Sequence, residues 1–277
     1  GRKLGLRSKL IAQEAMNIGK LGELGSVLKT VAVTSITFEA VIALVLIPRF
    51  MLLGESVFQS IWHGIFYSVS AFNNAGFTPH SDGLVPYGHD LWLLLPLCIG
   101  VFIGSLGFPV ILVIQQNPFR FNRWNLTTKL TMIGTVTLLV LGAVLWGFFE
   151  WSNAKTIGSL GMGDKLLNSF FASIMTRSGG FNLVDMNDAN PITLLITDVL
   201  MFIGGGSAST AGGVKITTIT VVILAVIAEA RGDQFVVAFN RTIPDSVLRI
   251  AISVIMMSAI IVFLGTAAID FITGESL

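Results

Sequence analysis

The chain has few charged side chains and almost no cysteine. Of its 277 residues, 12% are charged and 53% are hydrophobic, whereas a soluble domain averages roughly 25% charged residues. This deficit excludes a soluble globular protein and indicates an integral membrane protein. The lone cysteine, Cys98, excludes an intrachain disulfide framework and a CxxC metal site. A formal net charge of +1 argues against a nucleic-acid partner, which would require a strongly basic face.

Two further patterns are missing. No signal-peptide pattern opens the chain, and its basic amphipathic start is typical of the middle of a longer protein. The three histidines, His63, His80 and His89, do not follow metal-ligand spacing in the sequence. We expect His63 to hydrogen-bond within the protein and the other two to lie in outer loops.

Long apolar runs are abundant, and they place the helices at about 20 residues per membrane crossing. Nearly charge-free runs cover residues 30–48, 91–116, 130–149 and 250–269. A further region, residues 191–228, is interrupted by GGGSASTAGG, which contains five glycines and no large side chain and does not continue as a regular helix. Irregular backbone at membrane depth requires surrounding protein or a water-filled cavity. We therefore predict two half-helices that flank a cavity-lining loop.

Two short segments that end in glycine turns reveal an internal repeat. Residues 55–71 and 166–176 resemble re-entrant pore helices, and they lead into SAFNNAGFTPHSD and SIMTRSGGFNLVD. Gly76-Phe77 and Gly180-Phe181 lie 104 residues apart, and Phe66 falls on Phe170 at the same offset. The helix that follows each turn is called an inner helix, and both inner helices contain Phe-Ile-Gly, at residues 102–104 and 202–204. After this motif the first inner helix is predicted to continue and the second to break.

The predicted fold is an all-α polytopic membrane protein built from repeated helix–pore loop–helix units. Two repeats are complete, and the first helix of another follows. The predicted divisions are a cytoplasmic amphipathic linker (1–29), one repeat (30–116), a second repeat with the broken inner helix (117–231) and the next first helix (232–277).

Two glycine turns, each after a helix too short to cross the membrane, are typical of a pore lined by backbone carbonyls. Such carbonyls replace an ion's hydration shell. Glycine accepts the unusual φ that aims successive carbonyls at one axis. Main-chain oxygens are thus the predicted ligands, while the side chains of Asn73, Asn74, Ser178 and Asn182 are expected to hold the loops in place. The predicted filter residues are Asn74, Ala75, Gly76, Phe77, Ser178, Gly179, Gly180 and Phe181.

The glycine-rich loop has two interpretations. It is either a movable gate beneath the filter, or part of a membrane-embedded serine hydrolase using Ser207 or Ser209, which needs a base within hydrogen-bond reach. No GxSxG element supports the hydrolase. The predicted gate residues are Gly204, Gly205, Gly206, Ser207, Ala208, Ser209, Thr210, Ala211, Gly212, Gly213 and Lys215.

Charged side chains at membrane depth are functional candidates by default. We expect Arg177 to pair with a carboxylate such as Asp185 or to reach outside water. Glu39 has a packing role or a functional one. Asp198 is expected to face a pore helix or the outer vestibule. Lys215 is expected to repel cations in a closed state, to pair with an acid, or to snorkel toward water.

The basic residues define the orientation. They cluster before the first span, between the repeats and before the last helix, all on one side, which is cytoplasmic by the positive-inside rule. Both glycine turns then face outside the cell membrane. Nearby acids are expected either to concentrate cations or to be plain solvated charges: Asp82, Asp90, Asp185 and Asp188.

The motifs AFNNAGFTPHSD, TRSGGFN and GGGSASTAGGVKITT resemble the second filter, third filter and intramembrane gate loop of the Trk/Ktr/HKT superfamily of potassium transporters, in particular the membrane subunit of bacterial Ktr and Trk systems. The resemblance implies four repeats around a pseudo-fourfold axis, of which the first repeat and the pore loop and inner helix of the fourth are missing here. It also implies K⁺ uptake by a channel-like pore or symporter, with Na⁺ as a candidate coupling ion. No covalent cofactor, catalytic residue or enzymatic activity is implied. The implied partners are a second copy in a homodimer, the lipid bilayer and a cytoplasmic ring of nucleotide-binding RCK/KTN-type subunits.

The orientation can be tested in the full-length protein. Cysteines that replace His80 or Asn187 should react with an impermeant thiol reagent from outside, and a cysteine that replaces Asn122 only from inside, because the basic clusters share one face. Labelling of intact cells against inverted vesicles makes the comparison. Labelling of His80→Cys and Asn122→Cys from the same side would contradict the repeat assignment.

Overall fold

The computed structural model describes residues 24–118 and 120–274. Most of the predicted linker, residues 1–23, lies outside this part of the chain, and its last residues belong to the first helix. The α-helices of the described residues are α1 (Leu24–Leu52), α2 (Val57–Phe72), α3 (Leu91–Leu106), α4 (Phe108–Gln116), α5 (Leu126–Glu150), α6 (Met162–Met175), α7 (Pro191–Phe202), α8 (Ile216–Arg231) and α9 (Asp245–Thr273). A short antiparallel hairpin, β1 (Val237–Ala238) and β2 (Arg241–Thr242), precedes α9.

The long helices confirm the predicted polytopic all-α fold. Three of them are long and apolar enough to cross a membrane, at Leu28–Leu52, Leu126–Glu150 and Asp245–Thr273. The bent pair α3–α4 passes the same test when taken together, as either a broken span or a re-entrant loop, and α7 is a shorter apolar helix. The chain therefore has the elements of a multi-span membrane protein.

The short helices α2 and α6 occupy equivalent places, each between an outer helix and an inner helix. A capping box starts α2, because the Ser56 hydroxyl accepts from the Gln59 amide while the Gln59 side chain accepts from the Ser56 amide. In each repeat a glycine allows the short helix to touch the outer helix. A Cβ on Gly64 would lie 2.5 Å from Ile47, and one on Gly142 would lie 2.4 Å from Ser173.

One apolar core joins the two repeats, so they fold as a unit. Its side chains come from α1, α2 and α3 of the first repeat and from α6 and the following loop of the second. In a membrane, close van der Waals packing rather than removal from water holds such side chains together. The largest fully buried members are Leu46, Phe50, Tyr67, Leu84, Leu93, Leu94, Leu97 and Phe171.

The first inner helix is not continuous, and this prediction was wrong. It breaks at Gly107, where φ is +94°, and α3 and α4 meet at a bend of 99°. The local sequence supports the break, because Pro109 stands in the first turn of α4, where its missing N–H costs no helical hydrogen bond.

A buried carboxylate, absent from the predicted set, fixes the outer end of the second repeat. Glu150, the last residue of α5, is fully buried. It accepts hydrogen bonds from Thr156 (2.6 Å), Asn153 (2.7 Å) and Thr193 (2.5 Å), and from both the backbone (2.8 Å) and the side chain (3.1 Å) of Asn190. These donors satisfy the carboxylate without a cation and tie the end of α5 to the start of α7.

Glu150→Ala should therefore destabilise the full-length protein by on the order of 3 kcal/mol, because several buried donors lose their acceptor at once. Thermal unfolding in detergent measures the loss. Glu229→Ala, at an exposed acid near the end of α8, is the matched control and should leave the unfolding temperature unchanged. Equal unfolding temperatures for the two variants would contradict the assigned role.

A candidate ion filter and gate loop

The two predicted filter strands have the same unusual backbone. In the first strand φ is +52° at Asn74 and +71° at Gly76, and in the second it is +67° at Ser178 and +76° at Gly180. The left-handed residues thus recur at every second position and at the same offset of 104 residues. Left-handed φ is uncommon outside glycine, although asparagine tolerates it better than most residues. A shared strained geometry at equivalent positions indicates a common role for the two strands.

The strands also touch each other through their glycines. A Cβ placed on Gly76 would lie 2.6 Å from the Cα of Gly180, and one placed on Gly180 would lie 2.9 Å from the Cα of Gly76. Both positions therefore need glycine for two reasons, the positive φ and the close approach of the backbones.

Polar side chains hold the strands in place, as the sequence predicts. Asn73 donates to the Glu39 carboxylate at 2.7 Å, so Glu39 has a structural contact. Asn74 donates across the repeats to the Arg177 carbonyl at 3.1 Å, and Asn182 donates to the Val184 carbonyl at 3.0 Å. Side-chain bonds of this kind fix the loops in place.

The glycine-rich loop is closed at its neck by backbone hydrogen bonds. Ile203 and Val214 form an isolated parallel bridge, in which the Gly204 amide donates to the Val214 carbonyl at 2.9 Å. Only glycine fits at the start of the loop, because a Cβ on Gly204 would lie 1.6 Å from the Gly212 carbonyl oxygen. Lys215 donates to the Ala211 carbonyl at 2.7 Å, so its ammonium group stabilises the end of the loop.

The loop docks into the break of the first inner helix. The Gly206 and Thr210 amides donate to carbonyls at the end of α3 (2.8 and 3.2 Å), and the Phe108 amide at the start of α4 donates to the Ala208 carbonyl at 3.2 Å. These bonds satisfy backbone groups that the break would leave unpaired at membrane depth. A Cβ on Gly107 would lie 2.3 Å from the Ser207 carbonyl oxygen. The break in one repeat and the loop in the other therefore form a single packed feature.

Two contacts connect the loop to the filter strands. The Thr210 hydroxyl lies 2.8 Å from the Asn74 side-chain oxygen and 3.1 Å from the Phe72 carbonyl. The Gly212 amide donates to the Ser178 hydroxyl at 3.0 Å. The loop thus contacts one left-handed residue in each strand.

Arg177 is buried, with 3% of its surface exposed, and it does not pair with Asp185. Its guanidinium lies 3.4 Å from the Gly204 carbonyl and 3.5 Å from the Thr135 hydroxyl, and its Nε has no partner. Asp185 instead accepts from the Asn187 amide at 3.0 Å. Both expectations for Arg177 were wrong, because its side chain turns inward to the loop rather than outward.

The acids near the filter mouth are mostly engaged elsewhere. Asp90 forms a salt bridge with Arg49 at 2.7 Å and also caps α3, while Asp188 lies 3.4 Å from the ammonium of Lys155. Asp198 is exposed and lines a cavity of about 610 Å³ together with residues of α9. The expectation that Asp198 faces a pore helix or the outer vestibule stays a prediction.

His63 and His80 both contact the carboxylate of Glu55. Their spacing in the sequence does not indicate this contact. The chain reverses direction after α2, so His80 returns to His63 on α2, and both rings lie within 3.3 Å of the Glu55 carboxylate. His63 therefore does hydrogen-bond within the protein, as predicted. His89 lies at the surface and contacts Asp164 of the second repeat at 2.8 Å.

Comparison with known proteins identifies the family of this chain. The family model of TrkH, a cation transport protein, matches residues 2–276. The Ktr system potassium uptake protein B of Bacillus subtilis is 37% identical over 97% of this chain and 60% of its own length, and that of Vibrio alginolyticus is 35% identical over 94% of this chain and 57% of its own. The chain belongs to the TrkH family of cation transport proteins.

The TrkH family assignment confirms the resemblance seen in the motifs and the conclusion that the chain is not an enzyme. The crystal structure of the potassium transporter TrkH from Vibrio parahaemolyticus superposes with a TM-score of 0.70 at 15% identity, over 88% of this chain and 51% of that one, which supports the fold. The chain spans about 60% of the length of the two Ktr relatives above.

The hydrolase interpretation has no support in a TrkH-family chain with this geometry. Ser209 has a buried hydroxyl without a hydrogen-bond partner. Within the described residues, neither Ser207 nor Ser209 is hydrogen-bonded to a histidine or a carboxylate. A serine nucleophile needs such a base.

The docking of the loop at the helix break can be tested by Gly107→Ala. The added Cβ collides with the Ser207 carbonyl, so the loop should move. A cysteine in place of Ser209, whose hydroxyl is buried, should then react faster with a thiol reagent. We expect about a tenfold increase, which corresponds to 1.4 kcal/mol.

Gly54→Ala is the matched control. Gly54 has nearly the same φ, +96°, but a Cβ there meets nothing within 4 Å. Gly54→Ala should therefore introduce about the same backbone strain as Gly107→Ala. It should leave the reaction rate of the cysteine at position 209 unchanged. An equal increase in both variants would show that strain alone is responsible.

Proposed function

We propose that the full-length protein takes up potassium across the cell membrane, through a carbonyl-lined filter whose second and third strands lie in this chain. The observation that carries the proposal is the recurrence of left-handed φ at Asn74 and Gly76 and at Ser178 and Gly180, in two strands that touch. The Ktr relatives are named potassium uptake proteins, which supports the choice of ion.

The backbone conformation explains how such strands would bind an ion. In an ordinary extended strand, successive side chains, and with them successive peptide groups, alternate in direction. A left-handed residue at every second position turns the peptide planes, so that neighbouring carbonyls are brought toward one side. A row of carbonyl oxygens on one side replaces the hydration shell of a cation.

Hydrogen bonds limit which carbonyls are free to act. The Phe77 carbonyl accepts from the Ser70 hydroxyl at 2.8 Å, and the Arg177 carbonyl accepts from Asn74. The other carbonyls of the predicted filter are the best candidates for ligands. They are those of Asn74, Ala75, Gly76, Ser178, Gly179, Gly180 and Phe181. Two strands make half of a fourfold ring, so the other half would come from the rest of the protein.

The loop Gly204–Gly213 is the proposed gate. It contacts the filter through Thr210 and Gly212 and the first inner helix through Gly206. Its many glycines leave other loop conformations close in free energy. A partner that binds one conformation more tightly than another would shift the population of open pores. Such a partner, reaching the loop through α8, would regulate flux.

The proposed assembly follows from the family resemblance. It is a homodimer in the membrane with the filter loops facing outside, and a cytoplasmic ring of nucleotide-binding subunits that regulates the gate. The relatives are described as parts of a Ktr system, which supports a multi-subunit assembly. A relative from Enterococcus hirae, 29% identical, is named a potassium/sodium uptake protein, which supports Na⁺ as a candidate coupling ion.

The filter proposal predicts that Gly76→Ser and Gly180→Ser weaken the discrimination of potassium from sodium. A side chain at either position meets the opposite strand and restricts the φ that aims the carbonyls. We expect about a tenfold loss, equal to 1.4 kcal/mol. The measurement is competition of rubidium uptake by sodium and potassium in a transporter-deficient host, using the full-length protein.

Gly83→Ser is the matched control for the filter variants. Gly83 also has a positive φ, +59°, but its Cβ would approach only Asn182, at 3.8 Å. It should keep the wild-type preference. An unchanged preference in Gly76→Ser and Gly180→Ser would remove both residues from the filter.

The gate proposal predicts that Thr210→Val raises uptake per inserted protein. The substitution removes the hydroxyl that bonds the loop to Asn74 and Phe72, and one hydrogen bond contributes about 0.5–1.5 kcal/mol, or roughly two- to tenfold in an equilibrium. Thr220→Val, which removes a local bond to Ile216 within α8, should have no such effect. A fall in uptake with Thr210→Val, normalised to inserted protein, would argue against the gate.

A further inference from the structure

We propose that Glu55, His63 and His80 form a binding site for a divalent transition-metal ion of the zinc class. The site lies beside the pore helix, apart from the carbonyls assigned to the filter. The assignment rests on side-chain geometry alone, so it holds whether or not the filter strands conduct potassium.

The three side chains converge from separate parts of the pore loop. Glu55 precedes α2, His63 lies one turn and a half inside it, and His80 follows the filter strand. The Nδ1 atom of His63 lies 2.8 Å from one carboxylate oxygen of Glu55, and the Nε2 atom of His80 lies 3.3 Å from the other. All three ligand atoms fall within 4.8 Å of one another.

These separations match the donor spacing of a metal site. Zinc binds imidazole nitrogen and carboxylate oxygen at about 2.0–2.2 Å in tetrahedral geometry, which sets neighbouring donors about 3.3 Å apart. Only small side-chain shifts would therefore admit the ion between the Glu55 carboxylate and the two rings. Imidazole ligands favour zinc, copper, iron and nickel over magnesium and calcium. Three protein ligands leave a fourth position for water.

The surroundings orient the ligands. The Tyr67 hydroxyl lies 2.8 Å from Nδ1 of His80, and Tyr67 is fully buried. This contact engages Nδ1 and leaves Nε2, the atom nearest Glu55, for the metal. Outer partners of this kind fix the tautomer and orientation of metal-bound histidines. Phe50 packs against both histidine rings, with centroids 5.8 and 6.1 Å away.

The ligands are enclosed but still reachable. The side chains of Glu55, His63 and His80 are 17%, 16% and 24% exposed. An ion could enter without local unfolding, and once bound it would cross-link the segment after the first filter strand to the start of α2. Bound metal is thus expected to stabilise this half of the pore loop.

The test uses the full-length protein in detergent, stripped of metal and equilibrated with Zn²⁺ at free concentrations up to about 10 µM at one fixed pH, because metal affinity depends on pH. Bound zinc is counted by mass spectrometry. The wild type should hold one more ion per chain than His63→Gln or His80→Gln. His89→Gln, which changes the surface histidine paired with Asp164, is the matched control and should bind as the wild type does.

Two further measurements show whether loss of zinc binding in the histidine variants reflects loss of the ligands rather than misfolding. Co²⁺ added to the wild-type protein should give the intense visible absorption of a tetrahedral site, and this absorption should disappear on addition of Zn²⁺. Tyr67→Phe should keep the site but weaken zinc binding about tenfold, because the partner that orients His80 is lost. Equal zinc content in the wild type, His63→Gln and His80→Gln, or no bound zinc in the wild type, would overturn the proposal and leave the cluster as a hydrogen-bonded network.

Discussion

The structure depends on one side chain, the amide of Asn74, which joins three separate parts of the chain. Its nitrogen donates to the Arg177 carbonyl in the second filter strand, and its oxygen lies 2.8 Å from the Thr210 hydroxyl of the loop. Asn74 itself is left-handed, with φ of +52°, a conformation that asparagine tolerates. A single residue therefore fixes the contact between the two strands and between the first strand and the loop.

The surrounding glycines follow from the need to pack backbone against backbone at membrane depth. Irregular segments there need either surrounding protein or a water-filled cavity, and where they pack against protein their amides and carbonyls bond to other backbone. A Cβ on Gly104 would lie 2.0 Å from the Phe72 carbonyl, and one on Gly204 would lie 1.6 Å from the Gly212 carbonyl. These two residues end the Phe-Ile-Gly sequences of the two inner helices. The repeated motif thus marks the points where other backbone approaches the helices most closely.

Much of this arrangement could be predicted from sequence. The apolar runs identify the spans, and the spacing of 104 residues pairs Gly76 with Gly180, which the structure brings into contact. The bend at Gly107 was missed although Gly107 and Pro109 together signal a helix break. The inward turn of Arg177 and the buried contacts of Glu150 leave no such signal, because they depend on which elements meet in space. The meeting of His63 with His80 likewise depends on the reversal of the pore loop.

The central claim is that filter and gate loop form one coupled unit through the contact of Asn74 with Thr210. A double-mutant cycle with Asn74→Gly and Thr210→Val tests it most directly, since glycine accepts the positive φ and removes only the side chain. Rubidium uptake per inserted full-length protein is the measurement. The account predicts that the second substitution has little further effect once the first is made, with a coupling energy of about 0.5–3 kcal/mol. If the free-energy effects of the two substitutions on uptake are additive in the double mutant, the account is contradicted.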